Sequence, residues 1–379
     1  MIAIKKVVLI GCLFCLFSCN RPDISPLEKV LWSAHPAMLK VLHDPEEFEI
    51  QILYSEIHRD SSGKVSFRDH EFRNAPSNFF YPASTVKLPL AVLAFEFADF
   101  TEKINIETPY KIRGDSLTHT IEDDVRQIFA VSDNQAYNRL YELLGRDFVN
   151  SRLQNLGLSP IRISHRLESE NAGKAERDSL LFFTKQDTLY LGGGKDSLIQ
   201  SLELKKLKKG IGFMRDGKMI KEPMDFSHKN YFPLETQHNL MKHLFFPEYF
   251  REEQRFKISE KNIAILKELM HTVPRKNGYS ETDYYDSYGK FFIYGDSKER
   301  IPDHFKIYNK VGYAYGTLTE TAYIIDKSSG IEFLLSATIL VNNNEIFNDN
   351  TYEYETLGIP FLAQLGREIY LQEYEKNLK

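Results

Sequence analysis

Strand-type patterns lie at the two ends of this 379-residue chain, and a helical block separates them. Glu49 to Arg59 begins with an alternation that puts Ile50, Ile52 and Tyr54 on one face of a strand. Asp60-Ser61-Ser62-Gly63 is a turn, and Lys64 to Phe72 reads as the returning strand of a hairpin. Three more strands come only near the C-terminus, at Phe305 to Val311, Thr319 to Asp326 and Ile331 to Val341. Between these ends, helical patterns cover Ser84 to Phe97, Ile121 to Val131, Ala136 to Leu144, Leu234 to Phe246 and Ser259 to Met270. One further helix precedes Leu42, and a last one closes the chain from about Thr351 to Leu378. Strands this far apart bury their apolar faces by pairing with one another. The order therefore predicts an α/β (α+β) fold, with one sheet assembled from both chain ends and a helical lobe inserted between its halves.

Residues 180–233 read as an insertion decorating that fold. Within it, Lys205, Lys206, Lys208 and Lys209 are expected on a solvated face, and Asp216-Gly217 in a hairpin turn. The Gly192-Gly193-Gly194 tract is no phosphate loop. Asp196 follows Lys195 where Ser or Thr is needed, and the loop's first glycine would fall on Leu189.

The N-terminus carries an export pattern. Lys5 and Lys6 precede an apolar stretch of 11 residues, Val7 to Phe17, well short of the roughly 20 that span a bilayer. Leu16-Phe17-Ser18-Cys19 resembles a bacterial lipobox. Residues 1–18 are thus expected to be a signal peptide, with Cys19 lipidated as the anchor to a periplasm-facing membrane and residues 19–45 as a tether and N-terminal helix. All three cysteines (Cys12, Cys15, Cys19) lie here, which leaves the following domain no thiol nucleophile, disulfide or cysteine zinc site. The net charge of −5 becomes more acidic once Lys5 and Lys6 are removed, and nothing points to nucleic acid. His238 and His243 lie five apart with no carboxylate motif beside them, so no metal is expected and both are read as surface or helix-packing residues.

Three short motifs carry chemistry: Ser84-Thr85-Val86-Lys87, Ser132-Asp133-Asn134 and Lys310-Val311-Gly312. A serine hydroxyl is a weak nucleophile until a base takes its proton. Ser84 and Lys87 are three apart on one helix face, so Lys87 can reach that hydroxyl. A lysine serves as a base when burial and nearby positive charge depress its pKa. Ser132, breaking a helical pair, can shuttle a proton to a leaving nitrogen, and Lys310, ending a strand, offers charge to a substrate carboxylate. Each motif alone is weak: Ser61…Lys64 and Ser287…Lys290 also fit the first, Lys208-Lys209-Gly210 and Lys276-Asn277-Gly278 the third. Their order, spacing and structural contexts together are specific.

Together they resemble the signatures of class A β-lactamases and penicillin-binding proteins. Tyr81 to Leu90 looks like that family's nucleophile helix, Val131 to Leu140 (with Asn138) like its second motif, and Lys310 to Gly316 like its third. The resemblance implies a β-lactamase/transpeptidase-like antiparallel sheet. Residues 46–379 form one catalytic domain: a helical lobe of about 84–290, an α/β lobe of 46–80 plus 300–379, and the 180–233 insertion. It also implies a monomer acting without cofactor or metal, with catalysis by Ser84, Lys87, Ser132, Lys310 and a deacylating Glu168, for which Glu170 competes. Asn134, Asn171, Gly312 and Tyr313 would contact the substrate or hold the water, and the Ser84 and Tyr313 N–H groups would bind the oxyanion.

Two features depart from the pattern. Val311 replaces a Thr or Ser whose hydroxyl binds the β-lactam carboxylate, a loss worth about 1.5–3 kcal/mol. The interval of 48 residues from Ser84 to Ser132 is also short, which implies a reshaped cleft wall. β-Lactam hydrolysis leads the expected functions. A D-Ala-D-Ala peptidase or cell-wall amidase or esterase is the alternative, and a non-catalytic penicillin-binding or sensor lipoprotein the third.

Overall fold

The computed structural model describes residues 24–378; the segment 1–18 expected to be a signal peptide, and Cys19, lie outside the described residues. Five antiparallel strands form the main sheet, in the order Phe305–Ala314, Thr317–Asp326, Ile331–Leu340, Gln51–Arg59, Val65–Phe72. Pairing of Gln51–Arg59 with Ile331–Leu340, in register Gln51↔Thr338, joins the two chain ends. That is the sheet the element order predicts.

Alternation sends Ile50, Ile52 and Tyr54 into a core with Met38 and Val41 from the N-terminal helices and Phe361, Leu362 and Leu365 from the last helix. Leu53 and Ser55 point the other way, towards the helix Leu234–Phe245. A second core belongs to the helical lobe and centres on the helix Lys87–Phe100. That helix is buried on every side from Lys87 to Phe95, as expected of a helix apolar all round.

Several boundaries differ from expectation. The N-terminal helix is two, Pro26–Leu31 and Pro36–Leu42, because Pro36 cannot continue the first but is well placed to start the second. The last helix runs Ile359–Asn377 after a wide turn at Tyr354–Gly358, which leaves Tyr352 and Tyr354 ahead of it to line a cleft.

The least readable segment is structured. Glu176–Phe183 pairs with Thr188–Lys195 on one side and Tyr110–Ile112 on the other, against the helical lobe. A Cβ at Gly192 would lie 2.8 Å from the Glu142 carbonyl oxygen, so the glycine tract serves close packing on the helix Asn134–Leu144. Asp216 and Gly217 do form the hairpin turn, both with positive φ. The lysine run is not simply a solvated face. Lys209 is buried against Glu49, and Lys206 reaches Glu46 and Glu49, which pins this segment to the start of the sheet.

Candidate active site

Ser84 lies in a tight turn, Ala83–Val86, that leads directly into Lys87–Phe100. The Thr85 hydroxyl closes it by donating to the Pro82 carbonyl at 2.7 Å. Gly312 explains how the sheet reaches this turn. A Cβ there would sit 2.5 Å from the Pro82 carbonyl oxygen and 2.9 Å from the Ser84 and Thr85 nitrogens. Backbone cannot yield as a flexible side chain can, so only glycine fits. Gly312, expected to touch substrate, is instead the point where the strand and the Ser84 turn meet.

Lys87 is fully buried at the head of its helix. Its Nζ donates to the Ser132 carbonyl, to Asn134 Oδ1 at 2.5 Å and to Ser132 Oγ at 3.2 Å. Burial pushes its pKa down to about 7, against the pull of Asp133 and Glu168. Desolvation is therefore the leading cause, and the expected positive charge is also close by, since Lys87 and Lys310 meet at the same hydroxyl and disfavour each other's protonation. Among the described residues the Ser84 hydroxyl has no hydrogen-bond partner, so it faces the cleft unengaged.

Ser132 sits where two helices break. Its φ of 58° turns the chain sharply, and Asp133 caps the next helix by accepting from the Ala136 N–H at 2.7 Å. Lys310 approaches from the sheet, within the strand rather than at its end, and donates to Ser132 Oγ at 2.9 Å and to the Val311 carbonyl at 3.0 Å. Ser132 Oγ thus accepts from both lysines, which frees its own hydrogen. Burial, then Lys87, then Lys290 hold the Lys310 pKa well below that of a free lysine. Val311 packs into the apolar core behind the sheet and offers no polar group.

The loop opposite is fixed at its base. Asn138 donates to the Leu167 carbonyl at 2.9 Å and accepts from the Leu167 N–H at 2.8 Å. Arg166 pairs with Glu142 and donates to the carbonyls of Asn171, Lys174 and Glu176. Glu168, next to the pinned Leu167, has a φ of 46° and an exposed carboxylate in the cleft. Glu170 does not line the cleft. Asn171, expected beside the water, does not line this cleft; it borders a second cavity with Gln135, Asn138 and Glu142.

The cleft has a volume of about 560 Å3 and is lined by Ser84, Asn134, Glu168 and Tyr313, with Lys87, Ser132 and Lys310 joined by hydrogen bonds to Asn134 and to one another. Its other walls were not anticipated. Tyr81, Tyr315, Tyr352 and Tyr354 line it, Tyr81 and Tyr315 edge to face at 5.0 Å. His165, Arg166 and Lys229 line it as well. Lys290, part of a discarded Ser-x-x-Lys match, proves to be buried behind the Lys310 strand, where it donates to the Ile307 carbonyl and to Asn309 Oδ1, both at 2.9 Å.

Residues 57–189 match the family described as the β-lactamase enzyme family. That span holds Ser84, Lys87, Ser132 and Glu168 but not Lys310. Similar solved structures include a β-lactamase from Xanthomonas campestris, at 13% identity over 91% of this chain and 98% of that one, with a TM-score of 0.51. A class A β-lactamase from Bacteroides cellulosilyticus aligns over 93% of this chain and 99% of its own, at 11% identity and a TM-score of 0.52. An ancestral class A β-lactamase aligns over 88% and 97%, at 13% identity and a TM-score of 0.52. No curated protein sequence matches. The resemblance read from the three motifs holds: the chain has the β-lactamase fold and, over residues 57–189, that family's sequence pattern.

Proposed function

We propose that this chain, of β-lactamase type in fold and motif pattern, is a serine hydrolase that acts through an acyl-enzyme on Ser84 and opens β-lactams. One observation carries the reading: Ser132 Oγ lies within hydrogen-bond reach of both Lys87 and Lys310 beside the cleft that exposes Ser84.

In the acylation step Lys87, with a pKa near 7, is neutral in a large fraction of molecules at neutral pH and takes the Ser84 proton. Ser84 Oγ attacks the amide carbonyl, and the developing oxyanion lies against the N–H groups of Ser84 and Tyr313. The Ser132 hydroxyl gives its proton to the leaving nitrogen and is reprotonated from Lys87. Lys310 receives the substrate carboxylate. Glu168 then draws a proton from a water whose oxygen attacks the ester carbonyl. The acyl–Oγ bond breaks, and the departing Ser84 oxygen takes a proton from Lys87, which the proton held by Glu168 makes good.

The apolar Val311 side chain keeps a peptidase, amidase or esterase as second reading, since it supplies no hydroxyl to a β-lactam carboxylate. Export and anchoring through Cys19 belong to the same proposal and rest on the N-terminal sequence. Nitrocefin turnover and intact-protein mass spectrometry decide between the readings. Turnover lost in Ser84→Ala supports a β-lactamase, and a long-lived penicilloyl adduct on the wild type supports a peptidase. Wild-type protein that neither turns over β-lactams nor forms an adduct would refute both.

A further inference from the structure

The segment 180–233, read from sequence as decoration, delivers a cation into the Ser84 cleft. Lys229 lines that cleft, and among the described residues no carboxylate lies within ion-pair distance of it. Burial alone lowers its pKa, with no acid acting on it. Its position is built rather than incidental. Arg162 and Tyr231 exchange backbone hydrogen bonds at 2.7 and 2.9 Å, which lays residues 162–165 beside 229–231. Between them the fully buried Asn230 accepts from the Ser164 N–H at 2.7 Å and the His165 N–H at 3.3 Å.

Two more basic groups converge here. His165 is only 6% exposed and lines the same cleft. Its Nδ1–H donates to the Arg166 carbonyl at 2.6 Å, which fixes the tautomer and leaves Nε2 buried without a partner. Arg162 stands behind Lys229, its guanidinium held only by the carbonyls of Gln200, Ser227 and Lys229 and its Nε unpartnered. Burial pushes the His165 pKa down to about 4 against the bond to the Arg166 carbonyl, Lys229 and Arg162 lower it further, and no acid opposes them. Buried or half-buried cations without counter-charge are costly, and an anion bound among them relieves that cost.

We propose that Lys229 and His165 form an anion subsite of the Ser84 cleft that receives a carboxylate on the acyl portion of the substrate. It is separate from the carboxylate that Lys310 receives. This deepens the acyl-enzyme reading and rests on it. In that mechanism Ser132 and Lys310 serve the leaving-nitrogen side, whereas Lys229 and His165 line the cleft together with Glu168 and hydrogen-bond to neither Ser132 nor Lys310. A carboxylate there accepts from the Lys229 ammonium, and His165 Nε2, once protonated beside the anion, becomes a second donor. Tyr81 and Tyr315 line the same cleft, so an aryl group next to the carboxylate has a surface to rest on.

The test pairs compounds that differ by one carboxylate. Full-length Ser84→Ala protein is titrated with phenylmalonate and with phenylacetate by calorimetry, a measurement that needs no turnover. Phenylmalonate is expected to bind about tenfold tighter or better. The advantage disappears in Lys229→Met and is retained in Lys229→Arg. Equal binding of the two ligands, or an advantage that survives Lys229→Met, overturns the proposal. A second arm compares kcat/KM for α-carboxybenzylpenicillin and benzylpenicillin, whose ratio should favour the carboxylated compound and collapse in Lys229→Met. If neither penicillin acylates Ser84, the β-lactamase reading fails while the calorimetry still decides the subsite.

Discussion

Asn138→Ala separates acylation from deacylation. In the folded protein the Asn138 amide makes two hydrogen bonds to the backbone of buried Leu167, at 2.9 and 2.8 Å. Truncation leaves a buried N–H and a buried C=O unpaired, each costing about 1–3 kcal/mol, so a loss of about 2–4 kcal/mol is expected after partial relaxation. The next residue magnifies the effect. Glu168 has a φ of 46°, a left-handed conformation that costs a non-glycine residue about 1–2 kcal/mol and persists only while its neighbours hold it. Without the Asn138 pin, Glu168 can relax and its carboxylate leaves the position from which it would address a water. Ser84, Lys87, Ser132 and Lys310 are held by other elements, so acylation continues.

The assay is stopped-flow nitrocefin hydrolysis with intact-mass detection, beside urea unfolding. Expected are a lower urea midpoint, a burst of one equivalent, a steady state slower by at least about a hundredfold, and an accumulating acyl-enzyme. If Asn138→Ala retained wild-type steady-state turnover with no burst, the loop would not depend on this pin. Deacylation through Glu168 would then lose its structural support.

Four further outcomes follow from the same geometry. With Lys87 held near a pKa of 7, acylation should rise as pH climbs through 7 and level off above it, and a pH-independent rate from pH 6 to 9 would remove Lys87 as base. The same depression means the unfolded chain binds more protons than the native one between about 7 and 10.5, so it contributes stability that increases with pH across that window. Gly312→Ala should lower stability by about 1–3 kcal/mol and cut acylation, read as urea midpoint and burst rate, because its Cβ meets backbone rather than side chain. His238 is buried neutral between Ser55 and Ser336, its pKa pushed down to about 3 by desolvation and then Lys242. The unfolded state therefore binds the extra proton first, and stability should fall as pH drops below about 6.5, an acid sensitivity that His238→Asn should blunt in urea titrations at pH 7 and 5.

Local periodicity made the sheet legible. Ile50, Ile52 and Tyr54 alternate, and a slip of one residue would have put them against the wrong helices. Ser84, Lys87 and Ser132 were legible because short spacing and helix breaks are local facts. Asn171 was misplaced and Gly312 misassigned because both depend on which side of a loop or strand faces the cleft, which packing decides. Thr351 to Tyr354 read as the start of a helix, yet a wide turn pushes that helix later and leaves Tyr352 and Tyr354 to the cleft wall. Lys229 carries no local signal at all. Its role comes from a backbone bridge between Arg162 and Tyr231, residues 69 positions apart.

These residues together give the cleft one electrostatic character. Lys87 and Lys310 share the Ser132 oxygen, and burial opposes a charge on each. A substrate carboxylate reaching Lys310 changes that balance, because an anion within a few ångströms stabilises the ammonium form. Once Lys310 is charged, its field falls on Lys87 across a single hydroxyl and lowers the proton affinity of Lys87 further. On this reading the substrate's own charge strengthens the base that attacks it. A neutral amide would bind a site whose lysines remain as burial leaves them. Anionic acyl donors should therefore gain in the acylation rate as well as in affinity, and a matched neutral ester should lose both.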